Sequence, residues 1–167
     1  LDAPFAGPER ARLLSPADYG ITGMAVVYLG LVQLVSEFGL GAALVQRRDL
    51  DATQIARLNG LSLLLGIGLF ALSAALAPMI AAFFGEPQVR KVVTVLAVTF
   101  VVTALQVVPN SLLTRDFAFR TLALIEGVEA LTQVAVTLAL AIAGARYWAL
   151  VLGGVTAKSV STVLLLR

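Results

Sequence analysis

The sequence predicts an all-α protein, a polytopic transmembrane helix bundle with about five spans. Two stretches carry no charged residue, from Arg57 to Glu86 and from Lys91 to Arg115, and each is longer than the roughly 20 apolar helical residues that cross a bilayer core. Composition agrees, because 59% of the residues are hydrophobic and 13% are charged, against about 25% charged in soluble domains. The chain is therefore expected to lie in a lipid bilayer.

Apolar runs bounded by charged residues, glycines and prolines place the predicted spans along the chain. They cover residues 19–45, 58–84, 91–113, 120–143 and 147–166. We predict that residues 1–18 form an extramembrane N-terminal segment. The connections between spans are short, so neighbouring helices are expected to be antiparallel.

Basic residues fall into two groups on alternate sides of the predicted spans, which the positive-inside rule relates to orientation. The larger group consists of Arg47, Arg48, Arg57, Arg115, Arg120 and Arg167. The other group consists of Arg10, Arg12, Arg90, Lys91 and Arg146. We predict that the larger group faces the cytoplasm.

The residue types that are missing limit the chemistry of this chain. It contains no Cys and no His, so disulfides, thiolate metal sites and imidazole acid–base catalysis are all excluded. The net charge of +2 is spread over the loops without a basic patch of the kind that binds nucleic acid. We therefore expect no enzyme activity, no catalytic residue, no metal or other cofactor, and no nucleic-acid partner.

Polar residues recur at helical spacing inside two of the apolar spans. The third span carries Thr99, Thr103, Gln106, Asn110 and Thr114, and the fourth carries Glu126, Glu129, Gln133 and Thr137. Such residues either bond neighbouring helices together, at about 0.6 kcal/mol each, or line a hydrated cavity. An ionised carboxylate at the bilayer centre costs about 2.5 to 3.5 kcal/mol, so Glu126 and Glu129 favour the cavity, and the deeper Glu129 is the stronger candidate.

Two further charges lie within predicted spans. Glu37 lies in the first span, four residues after Gln33, and Lys158 lies near the middle of the fifth. A lysine at that depth needs a carboxylate, an anionic ligand or a route to the interface. The sequence leaves two alternatives open: an ion pair of Lys158 with Glu126 or Glu129, and direct contact with a ligand.

Four segments carry a resemblance to a known family. They are RLLSPADYG at 12–20, SEFGLGAALVQRRDL at 36–50, VPNSLLTRDFAFR at 108–120 and GARYWALVLG at 144–153. In this order and spacing they resemble the polysaccharide or oligosaccharide flippases of lipopolysaccharide and exopolysaccharide biosynthesis. These belong to the multidrug/oligosaccharidyl-lipid/polysaccharide exporter superfamily.

The resemblance implies a bundle of twelve to fourteen helices in two lobes, of which this chain is part of one lobe. It also implies alternating-access flipping of a lipid-linked oligosaccharide or polysaccharide precursor across the bacterial inner membrane. Residues 1–9 stand where such proteins have their first membrane helix, so we expect either a piece of a longer protein or a truncated product. The five spans then correspond to the second to sixth helices.

Candidate roles follow from this resemblance together with the polar residues. Glu37, Glu126 and Glu129 are the candidates for ion or proton coupling. Candidates for binding the hydroxyl-rich sugar and the anionic diphosphate are Lys158, Arg115, Arg120, Thr99, Thr103, Gln106, Asn110 and Gln133. For Arg115 and Arg120, an ordinary topology signal is the competing interpretation.

Two other functions remain open at this stage. A multidrug extruder of the same superfamily would share the helices and use the acidic residues as ligands for cationic drugs. A non-transporting scaffold subunit of a polysaccharide assembly complex would use the polar stripes as subunit contacts. The expected partners are the lipid bilayer, the lipid-linked oligosaccharide and polysaccharide polymerase or assembly proteins.

Overall fold

The computed structural model describes residues 16–37 and 51–166, without the side chains of residues 31–37 and 52. The described residues form helices and the turns between them, which confirms the predicted all-α class. The helices are α1 (Pro16–Glu37), α2 (Ala52–Phe84), α3 (Pro87–Arg115), α4 (Phe119–Ile142) and α5 (Tyr147–Leu165).

Within the described residues, four helical segments are long and apolar enough to cross a membrane. They are Thr53–Phe84, Pro87–Arg115, Phe119–Ile142 and Tyr147–Leu165. The shortest of them has 19 residues, which at about 1.5 Å per residue approaches the thickness of a bilayer core. The chain is thus a multi-pass membrane protein. The first predicted span, 19–45, continues from α1 into residues that lie outside the described part.

Tight turns join the last four helices and keep consecutive helices antiparallel. Each turn contains a residue with positive φ: Gly85 at 70°, Phe117 at 54° and Gly144 at 80°. Glycine adopts this conformation without steric cost, and it ends α2 and α4 within two residues. Pro87 then starts α3, where its fixed φ suits the first helical position and its missing N–H costs nothing.

Helix α3 is the centre of the described bundle, because it packs along α2 and also contacts α1, α5 and α4. Helix α4 packs mainly against α5. Glycine allows close approach in both pairs. A Cβ added at Gly66 of α2 would lie 2.6 Å from the Cβ of Ala104 and 2.8 Å from the carbonyl oxygen of Phe100. A Cβ added at Gly153 of α5 would overlap the hydroxyl of Thr137 on α4.

The bundle has two ends, which we name by one residue each. The Arg146 end contains the start of α1, the α2–α3 turn and the α4–α5 turn. The Arg115 end contains the start of α2 and the α3–α4 turn. Buried apolar side chains are concentrated near the Arg146 end, where Val89, Val92 and Val93 of α3 are fully buried.

Candidate functional site

A polar cluster joins α3 to α5 inside the apolar bundle, and Gln106 is its centre. This side chain is buried, with 5% of its surface exposed. Its Nε2 donates to Thr162 Oγ1 at 2.8 Å and lies 3.3 Å from both Ser161 Oγ and the carbonyl oxygen of Lys158. The Thr162 hydroxyl in turn donates to the same Lys158 carbonyl at 2.8 Å. Gln106 therefore bonds two membrane-crossing helices together in this conformation.

An ion pair joins α5 to α4 beside this cluster. The Nζ of Lys158 lies 3.3 Å from Oε1 of Glu129. Both side chains are partly exposed, at 30% for Lys158 and 25% for Glu129. Of the two alternatives that the sequence leaves open for Lys158, the structure therefore contains the ion pair. The partial exposure of both groups leaves room for a ligand or water to reach them.

One face of α4 is polar or small and is not covered by any described residue. It consists of Ala123, Glu126, Ala130 and Gln133, at helical intervals of three, four and three, and all four are exposed. We call it the α4 polar face. Glu126 forms no ion pair with a described residue, in contrast to Glu129, which lies at the border between this face and α5. The opposite side of α4 exposes Leu124, Leu131 and Leu138, as expected of a lipid-facing surface.

The remaining polar residues of α3 have separate environments. Thr99 and Thr103 are half-buried, and the Thr99 hydroxyl donates to the carbonyl oxygen of Leu96 at 2.6 Å. Asn110 is exposed, and its main-chain carbonyl oxygen accepts a hydrogen bond from the Thr114 hydroxyl at 2.8 Å. The spacing in the sequence predicts that these residues share one face of α3. In the structure, Gln106 on that face contacts another helix, while Asn110 lies on an exposed surface. Their roles in substrate binding stay predictions.

The two candidate arginines lie on either side of the α3–α4 turn at the Arg115 end. Arg115 is 3.7 Å from the carboxylate of its neighbour Asp116, while Arg120 is exposed. Arg120 is nine residues before Glu129 on α4, about 14 Å by helix rise, and Arg115 ends α3 before the turn. The structure therefore does not bring them to the Glu129–Lys158 pair. Glu37 ends α1, and its side chain lies outside the described residues.

Comparison with known families decides the assignment of the chain. The family described as polysaccharide biosynthesis protein matches residues 11–167. The chain belongs to this family. No solved structure shows a significant match to it.

Three curated relatives place this polysaccharide biosynthesis protein among longer proteins. It is 33% identical over 94 residues to the teichuronic acid biosynthesis protein TuaB of Bacillus subtilis (strain 168), which covers 56% of this chain and 20% of the relative. It is 23% identical over 158 residues to the lipopolysaccharide biosynthesis protein WzxC of Escherichia coli (strain K12), covering 92% of this chain and 31% of the relative. An uncharacterized membrane protein in the cps region of Klebsiella pneumoniae is 21% identical over 93% of this chain and 32% of that protein. The chain spans about a third or less of each relative.

Sequence reasoning missed one contact in this polysaccharide biosynthesis protein. Oδ1 of Asp18, in the LSPADYG segment, lies 3.5 Å from Nε of Arg146, in the GARYW segment. The Asp18 side chain is 3% exposed, and Arg146 has a positive φ of 52°. The contact joins α1 to α5 at the Arg146 end. The opposite charges were visible in the sequence, but their proximity depends on α1 lying beside α5.

Proposed function

We propose that this chain forms part of an inner-membrane protein that moves a lipid-linked oligosaccharide or polysaccharide precursor across the bilayer by alternating access. Transport would proceed without covalent chemistry, so the protein would not be an enzyme. The names of TuaB and WzxC, in teichuronic acid and lipopolysaccharide biosynthesis, support a carbohydrate-linked substrate rather than the cationic drug of a multidrug extruder. Polysaccharide polymerase or assembly proteins would act with it.

The α4 polar face is the observation that carries this proposal. Helix α4 is long and apolar enough to cross the membrane, yet Glu126 and Gln133 are exposed on it beside the small residues Ala123 and Ala130. A carboxylate against lipid would cost about 2.5 to 3.5 kcal/mol, so the face must meet water or protein in the assembled membrane protein. A water-filled path lined by an amide and a carboxylate suits the hydroxyl groups of a sugar.

The Glu129–Lys158 pair gives this path a means of recognising the diphosphate. Lys158 lies 3.3 Å from Glu129 at the border of the α4 polar face, and an ammonium binds phosphate as a point charge. A diphosphate that binds the ammonium group of Lys158 displaces the carboxylate of Glu129. The released carboxylate then binds a proton or a cation. In this way binding of the anionic substrate and uptake of the coupling ion occur at one pair of side chains.

The test uses the full-length protein alone, purified and reconstituted in liposomes with a fluorescent lipid-linked oligosaccharide. Ala130→Leu adds bulk to the α4 polar face, and Ala135→Leu adds the same bulk to the opposite, exposed side of α4. We expect Ala130→Leu to slow flipping by at least tenfold, about 1.4 kcal/mol in the barrier. Ala135→Leu should leave the rate unchanged.

Two results would contradict the proposal. If the purified wild-type protein flips no substrate but co-purifies with polymerase or assembly proteins, and Ala130→Leu abolishes that association, the scaffold function is correct. If both leucine variants flip at the wild-type rate, the α4 polar face does not line the path.

A further inference from the structure

A groove of about 740 Å³ lies beside the α2–α3 turn at the Arg146 end. It is lined by Pro78, Ala81 and Ala82 of α2 on one side and by Arg90 and Lys91 of α3 on the other, with the turn between them. The volume falls within the roughly 300 to 1,000 Å³ of small-ligand sites. None of these residues takes part in the polar cluster or the α4 polar face.

The α3 side of this groove carries positive charge that the described residues do not neutralise. Arg90 and Lys91 are both exposed, and neither forms an ion pair with a residue that the structure describes. Glu86, the carboxylate of the turn, does not line the groove. The start of a helix disfavours cations and favours anions, so an anion bound here would be stabilised by both side chains and by α3 itself.

The groove also runs from the headgroup level into the hydrocarbon region. Phe83 is 84% exposed and meets Phe84 edge to face at 5.2 Å between ring centres, an aromatic pair of the kind found at membrane–water interfaces. Pro78 is seven residues before Gly85, about 10 Å deeper along α2. Cations on one side of a groove that continues along apolar residues to Pro78 match an amphipathic ligand better than a free anion.

We infer that this groove binds an anionic phospholipid, with its phosphate at Arg90 and Lys91, its glycerol region against Ala82 and its acyl chains against Pro78. A zwitterionic lipid is disfavoured, because its ammonium group would lie beside two unneutralised cations. Basic pockets between membrane helices are a known way of recognising acidic lipid headgroups. The inference is independent of the proposed transport function.

The experiment measures thermal unfolding of the purified full-length protein in detergent with three added probes. They are short-chain phosphatidylglycerol, short-chain phosphatidylcholine and sodium phosphate. We expect phosphatidylglycerol alone to raise the Tm. Arg90→Gln should weaken its apparent affinity about fivefold, from roughly 1 kcal/mol per cation, and Arg90→Gln combined with Lys91→Gln should abolish the rise. Arg57→Gln removes one exposed cation from the other end of α2 and should leave the affinity unchanged.

Each contrary result overturns the inference in a distinct way. An equal Tm rise with sodium phosphate would mean a free-anion site, and an equal rise with phosphatidylcholine would mean no headgroup selection. An equal loss in Arg57→Gln would mean a general charge effect. If another segment of the full-length protein fills the groove, phosphatidylglycerol will give no rise, and Ala82→Cys will resist a lipid-soluble maleimide.

Discussion

Removing one partner of the Glu129–Lys158 ion pair should destabilise the protein more than removing both. Glu129 lies ten residues from Phe119 and Lys158 lies eleven from Tyr147, which places them about 15 and 17 Å from those helix ends. At that depth an unpaired charge costs about 2.5 to 3.5 kcal/mol. Because both side chains are a quarter or more exposed, water reduces this penalty. We expect Glu129→Gln or Lys158→Met alone to lower the free energy of unfolding by about 1 to 3 kcal/mol.

The double variant Glu129→Gln with Lys158→Met removes both charges and should recover most of this loss. The coupling energy of the cycle is then expected to be at least about 1.5 kcal/mol, because two losses of about 1 kcal/mol or more are replaced by less than half of one. Equilibrium unfolding of the full-length protein in mixed micelles measures it. If the two single losses add in the double variant, to within about 0.5 kcal/mol, the ion pair contributes nothing to stability and the reasoning fails.

Transport by the same variants separates a structural pair from a functional one. In a complementation assay for surface polysaccharide, with membrane abundance matched, Glu129→Gln should lose most export. Glu126→Gln, one turn away, exposed and without an ion pair among the described residues, should lose less. If the double variant recovers stability and also exports normally, the pair is structural, and its assignment to coupling must be abandoned.

Two further predictions concern packing and the Arg146 end, and both are measured as the free energy of unfolding of the full-length protein. Gly66→Ala should cost about 1 to 3 kcal/mol, because the added Cβ would lie 2.8 Å from a backbone carbonyl oxygen of α3. The control Gly68→Ala should cost nothing, because its added Cβ would have no neighbour within 4 Å. Equal losses in the two variants would refute the close approach of α2 and α3 at Gly66. Asp18→Asn should cost about 1 to 3 kcal/mol by weakening the contact of the buried Asp18 carboxylate with the exposed Arg146. Asp116→Asn, at 69% exposure, should have no measurable effect. If Asp18→Asn leaves the free energy of unfolding unchanged, the contact does not hold α1 to the start of α5.

The gaps between charges predicted the membrane helices well, but they did not predict where each helix ends. The predicted span 91–113 lies inside α3, which runs from Pro87 to Arg115. Apolar composition reports which residues tolerate lipid, while hydrogen bonding and turn residues determine the length of the helix. Charged residues such as Arg90 and Lys91 therefore belong to the helix although they end the apolar run.

The sequence limited the partner of Lys158 to Glu126, Glu129 or a ligand, and the choice among them depends on how α4 and α5 are rotated and spaced. The close approach of Gly153 to Thr137 fixes that spacing, and it brings Lys158, five residues later, within reach of Glu129. The sequence shows the glycine as one of several small residues at helical spacing. The sequence does not distinguish Gly153, which contacts α4, from its neighbour Gly154, which has open space beside it.

The polar stripe of α3 was predicted as a single face, and the structure divides it for a physical reason. A buried amide costs several kcal/mol unless it is hydrogen-bonded, and Ser161 and Thr162 on α5 supply the acceptors that allow Gln106 to be buried. Asn110 lies one turn further along α3 and is exposed. If alternating access separates α3 from α5, the hydrogen bonds of the Gln106 amide to α5 must break and water must replace them. The same residue can then bond helices in one state and line a hydrated path in the other.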